Sequence, residues 1–317
     1  MSRCARLALY SHDAQGLGHI RRNLNIANSL IGADLDLTVL LICGSRNISH
    51  FRFERSIDTL ILPALRKRGD GGYQPRNLEI GQAQLQALRQ NSILAAVDAF
   101  DPDILIVDKL PYGFRGELKP TLELMQKRPG SCILGLRDII DAPQIAWEEW
   151  SRNDGNRAVN ELYDSVWIYG DKSIYNLTDD YRFSAQAIDK TRFTGYLNPL
   201  DLRALAPKAD RPPPEATLAE RTVLCLVGGG QDGYELSRLF LKADLGPGRR
   251  GVVVTGPYMS EAHRSRLRLK AQKRAGFAVI DFVPSLLPLL QSADLVVSLY
   301  PFRGRDGSKR TAIFLSS

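Results

Sequence analysis

Cysteine and histidine are both scarce, with four of each in 317 residues. Cys4, Cys43, Cys132 and Cys225 lie far apart, no pair has CxxC spacing, and three of them sit inside apolar runs. That pattern speaks against a disulfide framework and leads to an expectation of buried, reduced thiols. The histidines His12, His19, His50 and His263 do not cluster with the cysteines, so no structural metal is expected. Long apolar runs are missing too. Nothing approaches the roughly 18 residues a membrane-spanning helix needs, and Met1 to Tyr10 lacks the apolar stretch of a signal peptide. The chain is therefore expected in the cytoplasm, with a basic face able to hold it at the inner surface of a membrane. Acidic residues are in deficit, 35 against 42 Lys and Arg, giving a net charge of +7. Such a surface attracts phosphates, nucleotides, anionic lipid heads or nucleic acid without selecting among them.

What is present alternates. Leu7 to Tyr10 is a short apolar run, and after Gly16-Leu17-Gly18-His19 the residues Ile20, Leu24, Ala27 and Ile31 recur at helical spacing. Leu37 to Cys43 is a continuous apolar run of the kind found in a strand covered on both faces. Helix and strand continue in turn: Leu85–Phe100, Ile104–Val107, Leu118–Lys127, Cys132–Leu136, then short strands at Val166–Tyr169 and Arg192–Thr194. The pattern lapses between Leu197 and Glu220, where Pro212-Pro213-Pro214 marks a stiff connector. It restarts with strand Thr222–Val227, helix Tyr234–Ala243, strand Gly251–Thr255, helix Glu261–Ala275, strand Ala278–Phe282, an apolar helix near Leu286–Leu290 and strand Leu295–Ser298. This predicts an α/β protein of two Rossmann-like parallel-sheet domains, residues 1–205 and 220–317, joined by a linker at 206–219. The last residues, Leu299 to Ser317, break the plan: basic residues among Gly and Ser, then an apolar run Thr311–Leu315 with no assigned partner.

In an open parallel sheet, ligands bind beyond the carboxyl ends of the strands, so the segments after each strand are where chemistry is sought. Gly16 and Gly18 allow close backbone approach, and the helix beginning near His19 points free N–H groups outward. Arg21 and Arg22 fall in that helix's first turn, where the macrodipole disfavours cations. Either they are a solvated pair or an anion resolves the mismatch, and Arg137, at the end of another strand, joins them as a candidate anion contact. His19 is either a capping residue or a general base whose ring Asp108 orients and whose imidazolium Asp108 stabilises. Gly228-Gly229-Gly230-Gln231 follows a strand and precedes a helix, which is the arrangement that cradles phosphate. Thr255-Gly256 ends the next strand, as a ligand contact or a tight turn. Asp101-Pro102-Asp103 precedes its strand and reads as a turn, not a metal-binding pair.

These motifs, in this order, resemble the family 28 glycosyltransferases of the GT-B fold, the group related to the UDP-N-acetylglucosamine transferase of peptidoglycan synthesis. The matching stretches are Tyr10-Ser11-His12-Asp13 through Gly16-Leu17-Gly18-His19-Ile20-Arg21-Arg22, Ile106-Val107-Asp108-Lys109, Gly135-Leu136-Arg137-Asp138, Thr194-Gly195-Tyr196-Leu197, Val254-Thr255-Gly256-Pro257, Phe282-Val283-Pro284-Ser285 and Ala293-Asp294-Leu295-Val296-Val297-Ser298. The resemblance implies sugar transfer from a nucleotide-diphosphate donor, of UDP type, to an acceptor hydroxyl, with inversion and with no cofactor or protein-bound metal. It puts the acceptor on the first domain with His19 as base, sets Gly229, Gly230 and Gln231 against the donor diphosphate, and has Phe282 and Val283 border the base. The partners it implies are the nucleotide-sugar donor and an unspecified acceptor, with no nucleic acid. The family continues after its equivalent of Ser298 with a Gly-Gly-x-x-Thr loop, where this chain reads Leu299-Tyr300-Pro301-Phe302-Arg303-Gly304. A truncated second domain and an incomplete donor site are therefore expected, which keeps open a non-catalytic binding protein that retains the acceptor domain. A nicotinamide-dependent oxidoreductase fits less well, because the second strand ends Ile42-Cys43-Gly44-Ser45 without the acid that would hold a ribose.

Overall fold

The computed structural model describes residues 4–12, 17–33, 35–51, 53, 55–67, 72–140, 142–197, 221–283, 286–303 and 309–315. The expected linker 206–219, together with Asp13, Gly16, Pro284 and Ser285, lies outside the described residues. The chain divides into two compact units, Met1–Ala14 with Gly18–Leu205, and Gln15–Leu17 with Ala206–Ser317.

The first unit runs β1 (Ala5–Ser11), α1 (Gly18–Gly32), β2 (Leu37–Cys43), β3 (Ile57–Ile61), β4 (Leu65–Lys67), β5 (Tyr73–Pro75), α2 (Gln82–Phe100), β6 (Ile104–Asp108), α3 (Lys119–Met125) and β7 (Ser131–Arg137). It continues with α4 (Pro143–Arg152), α5 (Gly155–Leu162), β8 (Ser165–Tyr169), α6 (Leu177–Asp180), α7 (Ala185–Asp189) and β9 (Thr191–Phe193). Seven parallel strands form one sheet in the order β3-β2-β1-β6-β7-β8-β9, while β4 and β5 pair antiparallel as a separate hairpin. The continuous apolar runs are strands covered on both faces: Ala8, Leu9 and Tyr10 of β1, and Leu105, Ile106 and Val107 of β6, are all buried. The chain leaves β1 toward β2 on one side and returns through β6 on the other, which makes β1/β6 a topological switch point. A crevice opens at the carboxyl ends of two such strands.

The second unit runs β10 (Thr222–Leu226), α8 (Tyr234–Phe240), β11 (Arg250–Val254), α9 (Glu261–Gln272), β12 (Phe277–Ile280), α10 (Leu287–Ser292), β13 (Ala293–Arg303) and β14 (Lys309–Leu315). Its sheet has the order β12-β11-β10-β13-β14, parallel except for the last pair. Side-chain alternation sends Leu224, Val252 and Val254 into one core layer and Val223, Cys225 and Val253 into the other. The C-terminal segment, without a partner in the sequence reading, forms a hairpin: β14 runs antiparallel to β13 from Leu295 opposite Leu315 to Arg303 opposite Lys309. The strand expected to end at Ser298 thus continues to Arg303, because β14 supplies the pairing that extends it.

Candidate functional site

The β1/β6 switch point gathers the polar groups of the first unit. His19 enters on the first turn of α1 and Asp108 is the last residue of β6, and they meet with Nδ1 2.5 Å from Oδ2. Arg22, one turn further along α1, donates Nη1 to Oδ1 of the same carboxylate. Asp108 is wholly buried, whereas the His19 side chain stays 20% exposed. Burial by itself would raise the Asp108 carboxyl, but His19 and Arg22 outweigh it and hold the group below the usual carboxylate range. The tautomer that donates Nδ1–H to the carboxylate carries its lone pair on Nε2, which is the form a general base needs.

The other predicted residues of this unit surround that pair. Gly18 is exposed at the start of α1. Arg21 lies over the Phe51 ring at 5.7 Å, Arg22 over the Tyr169 ring at 5.6 Å, and Arg137 donates to the Ile140 carbonyl at 3.2 Å. Burial lowers the pKa of both Arg21 and Arg137, and for Arg137 the nearby Arg22 charge adds to it. Asp101 takes a left-handed conformation as the C-cap of α2, and the Asp103 carboxylate accepts the Arg6 amide at 2.7 Å, so the Asp-Pro-Asp segment is a turn tied to β1.

Two features escaped the sequence reading as site components. His12 follows β1 with its ring 5.0 Å from that of His19, and its Nδ1 is buried without a hydrogen-bond partner among the described residues. Burial, then the neighbouring His19 and Lys109, depress its pKa well below the ordinary value. Its place at the end of the first strand, seven residues before His19, was the available signal. The second feature is a buried network beneath the crevice. Arg89 donates Nε to Glu117 Oε2 at 2.7 Å and Nη2 to Oε1 at 2.6 Å, and the Tyr10 hydroxyl donates to the same Oε1 at 2.5 Å. Tyr10 in turn accepts the Phe114 amide at 3.2 Å, which fixes the segment after β6 against β1.

In the second unit the glycine loop follows β10. Gly228 is exposed with φ +58°, Gly229 accepts the Tyr258 amide at 2.8 Å, and Gln231 is exposed. Gly230 and Gly256 have φ of +91° and +76°, and a Cβ on Gly230 would overlap the Thr255 carbonyl while one on Gly256 would overlap that of Gly228. The two loops pack backbone to backbone, and these two glycines are required by that contact. Thr255 is fully buried and donates to the carbonyls of Ile280 and Asp281 at 3.4 and 3.3 Å, so its hydroxyl joins the ends of β11 and β12. Val283 is buried and Phe282 half-buried beyond β12. Among the described residues no group of three or more His, Cys, Asp or Glu is placed to hold a metal ion, and no helix is long and apolar enough to cross a membrane.

The architecture is that of two Rossmann-like α/β units, as in the GT-B fold. Solved structures of that fold match nearly the whole chain. They include a candidate UDP-N-acetylglucosamine 2-epimerase from Listeria monocytogenes (TM-score 0.57, 13% identity, 95% of this chain and 75% of that one). An S. aureus MnaA–UDP co-structure matches with a TM-score of 0.54 and 9% identity over 94% of this chain and 74% of the other. The glycotransferase of kitacinnamycin matches with a TM-score of 0.52 and 15% identity over 97% and 77%. At these identities the likeness establishes the fold. No protein-family model and no curated protein matches the sequence.

Proposed function

We propose that this chain is a nucleotide-sugar-dependent glycosyltransferase in which His19 is the general base. The observation that carries the reading is the His19–Asp108 contact at the β1/β6 switch point: an imidazole with one nitrogen held by a buried carboxylate and the other free to take a proton. In the reaction, Nε2 removes the proton of an acceptor hydroxyl as its oxygen attacks the anomeric carbon of the donor. The bond from that carbon to the diphosphate oxygen breaks, the nucleoside diphosphate leaves with the electron pair, and configuration inverts. Asp108 stabilises the imidazolium that forms. In the loop Gly228–Gln231 the Gly230 amide donates to the Val227 carbonyl at 3.0 Å, and the remaining backbone N–H groups take the leaving diphosphate, with the Thr255–Gly256 turn supporting the loop and Phe282 and Val283 bordering the nucleotide base. The UDP-bound S. aureus structure supports UDP as the nucleotide.

The experiment is release of UDP from UDP-sugars, followed with and without added acceptors. His19→Ala should lower the rate by about 10²–10⁴-fold, the usual worth of a general base, while UDP affinity by calorimetry stays within about twofold. An unchanged rate removes His19 from the mechanism. Failure of the wild-type chain to bind any nucleoside diphosphate favours a non-catalytic binding protein. Because two of the similar folds are described as UDP-GlcNAc 2-epimerases, the sugar product is read by NMR: inversion at C2 with no new glycosidic bond would replace transfer by epimerisation.

A further inference from the structure

The seven-stranded sheet brings a second set of polar groups to the face that carries Asp108. In register, Asp108 of β6 lies opposite Gly135 of β7, and Arg137 of β7 lies opposite Tyr169 of β8. Residues 135 and 137 are two apart and strand partners share a face, so Asp108, Arg137 and Tyr169 project from one side of the sheet at its carboxyl end. Tyr169 reaches back across Gly135, where a Cβ would overlap the phenol oxygen. Only glycine at 135 leaves room for that ring.

The groups collected there are short of partners. Tyr169 is 6% exposed, and its hydroxyl makes no hydrogen bond among the described residues. Arg137 has a single hydrogen bond among them, to the Ile140 carbonyl, although a guanidinium carries five N–H donors. Neighbouring carboxylates are committed elsewhere: Asp108 to His19 and Arg22, and Asp138 to the Ile139 amide. Arg22 lies over the Tyr169 ring, and its charge is felt by Arg137. Arg22 and Arg137 both lie in the field of the buried Asp108, with Asp138 acting on Arg137 as well, yet most of the Arg137 N–H groups have no hydrogen-bond acceptor among the described residues and the phenol beside them has nothing to donate to. An oxyanion answers all of these deficits, since its oxygens accept paired N–H groups from arginine and the O–H of tyrosine.

We propose that Arg137, Arg22 and the Tyr169 hydroxyl form an oxyanion pocket in the first unit, and that the acceptor presented to His19 carries a carboxylate or phosphate seated there. The word acceptor rests on the transferase reading; the pocket itself does not. Because the hydroxyl is covered, seating the anion requires the stacked Arg22 and Tyr169 side chains to part, so binding should move the Tyr169 ring resonances.

The test is titration of the whole chain with inorganic phosphate and, separately, acetate at constant ionic strength, read by NMR. The wild type is compared with Arg137→Gln, Arg137→Lys, Tyr169→Phe and, on an exposed face of the second unit, Arg266→Gln. Saturable binding should weaken at least tenfold in Arg137→Gln and several-fold in Tyr169→Phe and Arg137→Lys, and stay unchanged in Arg266→Gln. A preference for phosphate or for acetate names the group on the acceptor. Absence of saturable binding by either anion overturns the pocket, as does equal binding in the wild type and the Arg137→Lys and Tyr169→Phe chains. Those two conservative variants decide the matter if Arg137→Gln does not fold. Arg137-dependent anion binding in a chain with no sugar transfer would keep the pocket and remove the transferase, whereas sugar transfer with no such binding would do the reverse.

Discussion

Asp108 sets the electrostatics at the strand ends of the first unit, because one buried carboxylate answers both the imidazole of His19 and the guanidinium of Arg22. Its folded pKa lies below the ordinary carboxylate value. The stability it contributes is therefore fully present above about pH 4 and is lost as pH falls through the lower folded value. Asp108→Asn removes that contribution and leaves Arg22 without its counter-ion. The unfolding free energy of the variant should accordingly fall below the wild type near neutral pH, with the gap narrowing as pH drops below about 4, as urea titrations at a series of pH values would reveal. A gap independent of pH would mean that Asp108 is not charged in the folded chain. The same change should lower UDP release from a UDP-sugar by about 10²-fold or more, since the imidazolium formed at His19 loses its stabilising charge.

At the scale of the element, α2 shows what a sequence pattern carries and what it hides. Its buried residues Leu85, Arg89, Ile93 and Val97 recur every four positions, so an arginine occupies the apolar stripe. Read alone, Arg89 is an ordinary helix arginine, and the expected helix gave it no role. Its partner Glu117 is 28 residues away, so the pairing is invisible until α2 packs beside the segment after β6. Both side chains are fully buried and the Tyr10 hydroxyl completes the set. Removing one partner strands a charge. Glu117→Ala should cost about 3–5 kcal/mol of unfolding free energy, with Arg89→Met in the same background recovering much of it, measured by chemical denaturation. Similar reasoning explains which elements were legible. Strands such as β2 and β6 are continuous apolar runs, and polar and glycine-rich segments follow strand ends, so His19, Asp108 and the glycine loop stood out as candidates. The helices α4 to α7 are short, and α4 buries only Ala146 and Trp150, too little periodicity to announce a helix. β14 was visible as an apolar run, but its antiparallel pairing with β13 is a register between two strands that the run itself does not announce. The contact between Tyr169 and Gly135 was likewise unreadable, since it arises from strand register.

For the whole molecule, the proposed division of labour predicts how it should melt. Each unit has its own core, one built around Leu105, Leu134 and Val166, the other in two layers around Leu224 and Val253. Independent cores permit separate unfolding transitions. A ligand that binds one unit stabilises that unit by RT ln(1 + [L]/Kd), about 2.7 kcal/mol at a hundredfold excess over Kd, which raises the melting temperature of a domain of this size by on the order of 10 °C. The chain supplies its own reporter. All three tryptophans, Trp147, Trp150 and Trp167, belong to the first unit, and none lies in the second. Tryptophan fluorescence therefore follows the first unit, while calorimetry follows both. If the glycine loop after β10 grips the nucleotide, UDP should move a calorimetric transition upward and leave the fluorescence transition in place. A fluorescence transition that rises with UDP would transfer the nucleotide site to the unit of His19 and Asp108, and the glycine loop would then be a packing device between the ends of β10 and β11.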